Sequence, residues 1–287
     1  MNKATKIFFG TLFAAVALAI GNVIAGLPPQ DGGKSVKEQS ATGHDKASPA
    51  AGDKVAELDE VQYSAVLGDA PEGYQRIERM AYKTAYNPAT RLPVWVAWRL
   101  TADHADGPYK RGGLKFAEDE DVPQPRATHA DYVNSGYDRG HMCPAGDNNW
   151  SREALLQSFL YTNCCPQLHN LNGGDWKELE ERCRKWAATY GEIYIVCGPV
   201  LMKKTHKTIG ENRVVVPEAF YKVVLRMGEE PHAIGFIYRN EANNKTMASY
   251  VNTVDDVERI TGLDFFASLP DDIEAEVEAT ADIADWE

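Results

Sequence analysis

One stretch, residues 137–186, constrains this chain more than any other. It opens YDRGHMCPAGDNNW and closes FLYTNCCPQLHNLNGGDWKELEERCRKWA, which crowds a His, several Arg and Asn residues, and a run of carboxylates into one region. An imidazole can take a proton from water near neutrality, amide and carboxylate oxygens suit a hard metal ion, and guanidinium groups answer phosphate charge. Together these are the groups that metal-assisted phosphodiester cleavage needs.

The end of the stretch reads as a helix. Trp176, Leu179, Cys183 and Trp186 recur at spacings of three and four, the signature of one buried stripe, which leaves Glu178, Glu181, Arg182 and Lys185 outward. If the helix already runs at Asn172, then Asn172 and Glu180 project within about 80° of each other with Cα atoms roughly 12 Å apart. Glu180 then reaches an ion on Asn172 only through water or another side chain. Gly173 and Gly174 are poor helix interior residues, each about 1 kcal/mol worse than Ala. They fit a helix start or a place where a ligand comes close, and free N–H groups there favour an anion such as phosphate. A plain loop before a helix capped at Asp175 satisfies the same spacing.

The rest of the chain sets the surroundings. At 287 residues, with 44% hydrophobic and 25% charged residues, it can bury a full core, and one catalytic domain with appendages fits best. A net charge of −12 argues against a nucleic-acid partner, which calls for a basic face. The charge is uneven, however: residues 271–287 hold eight acidic side chains and no basic one, and without them the remainder is near −4. Residues 177–207 are rich in Lys and Arg, so a local positive groove is compatible with the composition.

Lys3 and Lys6 precede an apolar run over residues 7–20, and Val23-Ile24-Ala25 offers small residues before a cut at Gly26. Residues 1–25 thus read as a signal peptide, with an uncleaved anchor as the alternative. Both imply an exported protein, periplasmic or secreted, or held to a membrane by residues 7–25. Residues 26–56, made of Pro, Gly, Ser, Ala and Lys, read as a flexible linker. Residues 57–270 form the domain. Residues 271–287 read as an acidic tail, too poor in large apolar residues to join the core and therefore dispensable for folding.

Inside the domain, residues 79–86 and 94–98 suggest a hairpin across Asn87-Pro88-Ala89-Thr90. The acidic run at 118–121 reads as a solvated face. Residues 192–197 form an apolar strand ending at Gly198-Pro199; further strands follow at 214–216, 220–225 and 232–238, then a helix at 254–260 stopped by Gly262. Strands and helices do not alternate, which predicts an α+β domain with a mixed or antiparallel sheet.

Three motifs in order resemble the DNA/RNA non-specific endonucleases, whose active site is a ββα-metal motif. Asp138-Arg139-Gly140-His141 looks like that family's DRGH. Thr162-Asn163-Cys164-Cys165-Pro166-Gln167 is similar to its S/T-N-x-x-P-Q segment. Leu171-Asn172-x-Gly174-x-Trp176-x-x-Leu179-Glu180 resembles its L-N-x-G-x-W-x-x-L-E helix. Weaker similarity extends over about residues 82–266.

The resemblance implies cleavage of DNA and RNA with little sequence specificity. It implies His141 as general base, Asn172 as the direct protein ligand of Mg2+ (with Mn2+ able to substitute), and Arg139 and Arg111 facing the reacting phosphate. Glu180 then orders water around the ion, Asn163 holds the site together and contacts substrate, and Asp138 is structural. Other readings are an exported nucleic-acid-binding protein with a dead site, or a hydrolase of a different phosphodiester.

The five Cys residues lie in or near the same stretch. They suit buried thiols or one disulfide, and a zinc cluster of Cys143, Cys164, Cys165 and His169 is the alternative, although no C-x-x-C pair exists.

Overall fold

A computed structural model describes residues 73–242 and 245–287. The signal-peptide and linker expectations, with the start of the domain, lie outside the described residues. Strands β1 (Gln75–Glu78), β2 (Lys83–Asn87) and β3 (Leu92–Thr101) come first. A short helix α1 (His129–Tyr132), β4 (Asp138–His141), α2 (Arg152–Ser158), β5 (Cys164–Gln167) and α3 (Trp176–Tyr190) follow. Then come β6 (Glu192–Val200), β7 (Thr208–Ile209), β8 (Val214–Val215), β9 (Ala219–Arg226), β10 (His232–Arg239) and β11 (Val251–Asn252). Helices α4 (Val254–Thr261) and α5 (Asp271–Ala279) close the chain.

The main sheet has seven strands in the order β1-β2-β3-β6-β9-β10-β11, every pair antiparallel. Its side chains alternate between two buried layers, as the pleat requires. On β9, Phe220 and Val224 pack with the stripe of α3, while Tyr221, Val223 and Leu225 pack with Val254 and Val257 of α4 and Val277 of α5. Because both faces are covered, the central strands read as nearly continuous apolar runs. The stripe predicted for α3 is buried throughout: Trp176, Leu179, Cys183 and Trp186 are each at most 2% exposed.

The α+β expectation is met, and so are the β2–β3 hairpin and the Gly262 stop, where φ is 71°. Three expectations change. First, β6 does not end at Gly198-Pro199 but runs on to Val200, pairing Pro199 with Phe220. Gly198 allows this because a Cβ there would lie 2.4 Å from the Val94 carbonyl oxygen.

Second, the acidic run is not wholly solvated. Asp119 is buried, bound by the Arg79 guanidinium at 2.6 and 2.7 Å and by the Thr162 hydroxyl at 2.5 Å. Third, residues 271–287 do join the core. Val277 packs beneath α5, and beyond it Trp286, 2% exposed, lies against Trp186 with ring centroids 4.8 Å apart. Arg226 covers the Tyr190 and Trp286 rings, and Tyr190 donates to the Asp285 carbonyl. The eight carboxylates lie along a segment with too few large side chains to be noticed, yet two of those it has are buried.

Candidate active site

The second, two-stranded sheet builds the site. β4 and β5 pair antiparallel, with Asp138 opposite Gln167 and His141 opposite Cys164. Gly140 lets the strands approach: a Cβ there would sit 2.2 Å from Gln167 Oε1 and 2.7 Å from its Cβ. After β5, Leu171–Asp175 form one wide turn that leaves helical geometry at Gly174 (φ −110°, ψ −113°), and α3 begins at Trp176. The helix therefore does not run through Asn172. Asp175 does not cap it by its side chain either, since its Oδ2 accepts from the Tyr250 hydroxyl at 2.8 Å. Trp176 ties the helix to β4 by donating to the His141 carbonyl at 3.3 Å.

Five of the six site residues named from sequence line one cleft of ≈ 510 Å³: Arg111, Arg139, His141, Asn172 and Glu180. Asn163 does not. It is fully buried, accepts from the Cys143 N–H at 2.9 Å, and donates to the Cys143 and Ser158 carbonyls, both at 2.8 Å. Both its amide hydrogens and one lone pair of its oxygen are engaged with backbone groups around the loop after His141, which fits the role of holding the site together.

His141 packs against Phe116 and Phe159, with ring centroids at 4.7 and 5.0 Å. Burial, helped by the positive charge of Arg111, pushes its pKa down to about 3. The imidazole is therefore neutral at ordinary pH and keeps a lone pair. Arg111 lies over the Phe159 ring at 5.4 Å. Arg139 stacks over Tyr132, donates to the Tyr161 hydroxyl at 3.2 Å and to the His129 carbonyl at 3.3 Å, and so is held by uncharged partners.

Asn172 has a defined orientation. Its Nδ2 donates to Asp138 Oδ2 at 2.9 Å, and the same oxygen meets His169 Nδ1 at 2.9 Å. A carboxylate accepts and does not donate, so the amide nitrogen must face Asp138 and Oδ1 is presented elsewhere. Glu180 lies half-buried on the cleft wall, where desolvation, opposed by Lys222, pushes its pKa up to about 7. With a neutral amide oxygen and a carboxylate on one wall, the donors suit a hard cation.

The sequence reading missed Lys222 and Arg184. Lys222 is buried in β9 between Trp98 and Trp176, its Nζ 4.9 and 4.5 Å from the two ring centroids. Arg184, one turn after Glu180 on α3, donates to the buried Asp147 at 2.9 Å. A lysine inside the apolar run Phe220-Tyr221-Lys222-Val223-Val224 was the available signal, since a strand buried on both faces has no water for it. The zinc alternative fails: His169 is an exposed side chain, and all five Cys are free thiols in the core.

The cleft also carries Lys110, Lys177 and Arg184, so five basic residues line it against one acidic residue, Glu180. A positive groove exists in a chain of net charge −12.

Comparison with known proteins agrees with this geometry. Residues 68–272 match the family described as DNA/RNA non-specific endonuclease. The mitochondrial nuclease EXOG of Xenopus laevis is 34% identical over 216 residues, covering 70% of this chain and 60% of that protein. Mitochondrial endonuclease G of Bos taurus is 31% identical over 205 residues, 67% of this chain and 69% of its own length. Nuclease C1 of Cunninghamella echinulata var. echinulata is 37% identical over 221 residues, 71% and 87% of the two chains. A solved structure of the EndoG/EndoGI complex superposes with a TM-score of 0.67 at 27% identity, covering 78% of this chain and 95% of that one. The chain spans 55 to 60% of the length of several EXOG relatives.

These relatives overturn the expectation of export, because EXOG, endonuclease G and the Nuclease 1 of Schizosaccharomyces pombe are all named as mitochondrial. Among the described residues no helix is long and apolar enough to cross a membrane.

Proposed function

The chain belongs to the DNA/RNA non-specific endonuclease family, a family of metal-dependent nucleases, and from that membership we propose that it hydrolyses phosphodiester bonds within DNA and RNA, with His141 as general base and Mg2+ held through Asn172. The observation that carries this reading is the Asp138–Asn172 hydrogen bond at 2.9 Å, which turns an amide oxygen loose in the cleft that holds His141.

His141 takes the proton of the attacking water. Its lone pair is kept free by the two phenyl rings, and a phosphate anion entering the cleft raises the imidazole pKa toward the working range. Arg139 and Arg111 offset the negative charge that grows on phosphorus. Neither has a carboxylate partner among the bonds described above, so both can turn their N–H groups to substrate. Glu180, which lines the same cleft, accepts hydrogen bonds from water. Asn172 is neutral and leaves the charge of an ion it holds available to substrate. When bound, the ion stabilises charge on the departing 3′-oxygen, which a base on the attacking side cannot do.

The test is degradation of plasmid and of RNA by the purified protein. Mg2+ at roughly millimolar concentration should support both, as suits a hard cation with few protein ligands; Mn2+ should substitute, and chelator should abolish cleavage. Asn172→Ala should lose most turnover at any metal concentration. Full activity in excess chelator refutes the metal reading, and an active Asn172→Ala moves the ligand elsewhere.

A further inference from the structure

On the sheet face opposite the cleft, α4 and α5 bring acidic sides together. One carboxylate oxygen from each of Asp255, Glu258 and Glu278 lies within 4.8 Å of the other two. Asp255 is exposed, Glu258 is half-buried, and Glu278 is only 7% exposed. Glu278 Oε1 is enclosed and has no hydrogen-bond partner, although its carboxylate is part of the cluster. The Glu258 carboxylate is fixed, since its Oε1 accepts from the Phe265 N–H at 2.6 Å.

The surroundings intensify the problem. Burial, and after it the neighbouring carboxylates Glu258, Glu274, Asp255 and Asp264, push Glu278 up to about 8. Arg259, on the same helix, is paired with Asp256. Like charges at this spacing, partly out of water, are relieved by a cation or by a proton, and the unpartnered enclosed oxygen of Glu278 is open to a ligand.

Coordination flexibility favours the larger hard cation here. A calcium-type ion takes oxygens at about 2.3–2.6 Å in flexible geometry, so two ligands on opposite sides stand up to about 5.2 Å apart. The three oxygens here, within 4.8 Å of one another, fall inside that span. Mg2+ demands oxygens at about 2.0–2.1 Å in a near-ideal octahedron and holds its waters firmly. The exposed side at Asp255 leaves room for water to complete the looser shell.

We propose that Asp255, Glu258 and Glu278 bind a divalent cation of the calcium type, which clamps α5 onto α4 and is independent of the ion at the cleft. The clamp has a structural purpose. α5 leads directly into the segment whose Trp286 lies on Trp186, on the other face of the sheet, so fixing the C-terminal end of α5 at Glu278 holds both attachments.

The experiment uses metal-stripped full chain carrying Asn172→Ala, to keep the cleft ion out, and titrates CaCl2 near pH 7.5 by calorimetry and thermal unfolding. Expected is saturable binding and, at ten times Kd, a rise in Tm of about 3–6 °C. Glu278→Gln, which keeps shape and removes charge, should lose both, and so should the exposed Asp255→Asn, which cannot disturb the core. MgCl2 at equal concentration should give less than half the shift. Absence of a calcium effect in the Asn172→Ala protein overturns the proposal, and so does an equal shift in Asp255→Asn and Glu278→Gln. A Glu278→Gln protein that stays more stable than its parent even at saturating calcium also overturns it, because the ion then contributes less than the loss of one repelling charge.

Discussion

Asp138→Ala tests the orientation argument directly. Asp138 Oδ2 holds the Asn172 Nδ2–H at 2.9 Å and the His169 ring at 2.9 Å, on a side chain one-third exposed. A hydrogen bond to a charged group contributes about 1.5–3 kcal/mol, and partial exposure favours the lower half of that range. Without it the amide turns freely and presents nitrogen to the ion as often as oxygen. The loss of the anchor at roughly 1.5–2 kcal/mol corresponds to about 10- to 30-fold weaker metal retention, within the 10- to 100-fold typical of groups that orient metal ligands.

The assay is plasmid cleavage at fixed substrate as a function of Mg2+. The Asp138→Ala midpoint should move up about 10- to 30-fold while the plateau recovers much of the parent rate, because His141 is untouched. Asp138→Asn should fall between, since it keeps an acceptor but loses the charge. An unmoved midpoint with a collapsed plateau refutes the reasoning and makes Asp138 a participant in the chemistry.

His141→Ala should lower turnover about 10²- to 10⁴-fold with an unchanged midpoint for Mg2+ and an unchanged circular dichroism spectrum; near-normal turnover in the folded variant removes it as the base. The same residue gives a pH signature. Its folded pKa is about 3 against an ordinary 6.5, so between those values the unfolded chain binds a proton that the folded one does not, and stability falls as pH falls through that window. The difference in unfolding free energy between the parent and His141→Phe should therefore decline toward low pH, by at most about 1.4 kcal/mol per pH unit; a flat difference in urea melts from pH 6.5 to 4 contradicts it. Trp286→Ala, removing a side chain only 2% exposed, should destabilise by about 3 kcal/mol or more and lower Tm by about 6 °C or more. An unchanged Tm would mean that the C-terminal segment contributes nothing to the fold.

What was legible in the sequence follows from the range of each signal. The α3 stripe and the Gly262 stop depend on neighbours within one or two turns, and the structure reproduces them. The assembly of Arg139, His141, Asn172 and Glu180 around one cleft was legible through the ordered motifs, not through spacing, whereas Arg111 lies outside those motifs. Spacing alone misjudged Asn172, because the wide turn at Gly174 departs from the helix that a continuous period assumes. For Asn163 the resemblance foresaw an amide that holds the site together, and the bonds to the Cys143 and Ser158 backbone agree, but nothing local says which way an amide faces. Lys222 and Trp286 were missed for a related reason. Their partners, Trp98 and Trp186, lie 124 and 100 positions away, and no local window contains both.

The five buried thiols give the protein a built-in reporter of opening. Cys164, Cys183 and Cys197 are pushed up to about 12 by burial, and Cys143 and Cys165 well above their ordinary value, so almost no thiolate is present for an alkylating reagent to meet. They sit after β4, on β5, on α3 and on β6, the elements that assemble the cleft. Labelling of the native chain should then proceed at the rate at which that layer opens, and the order in which the thiols are modified, read by mass, traces which wall of the cleft parts first.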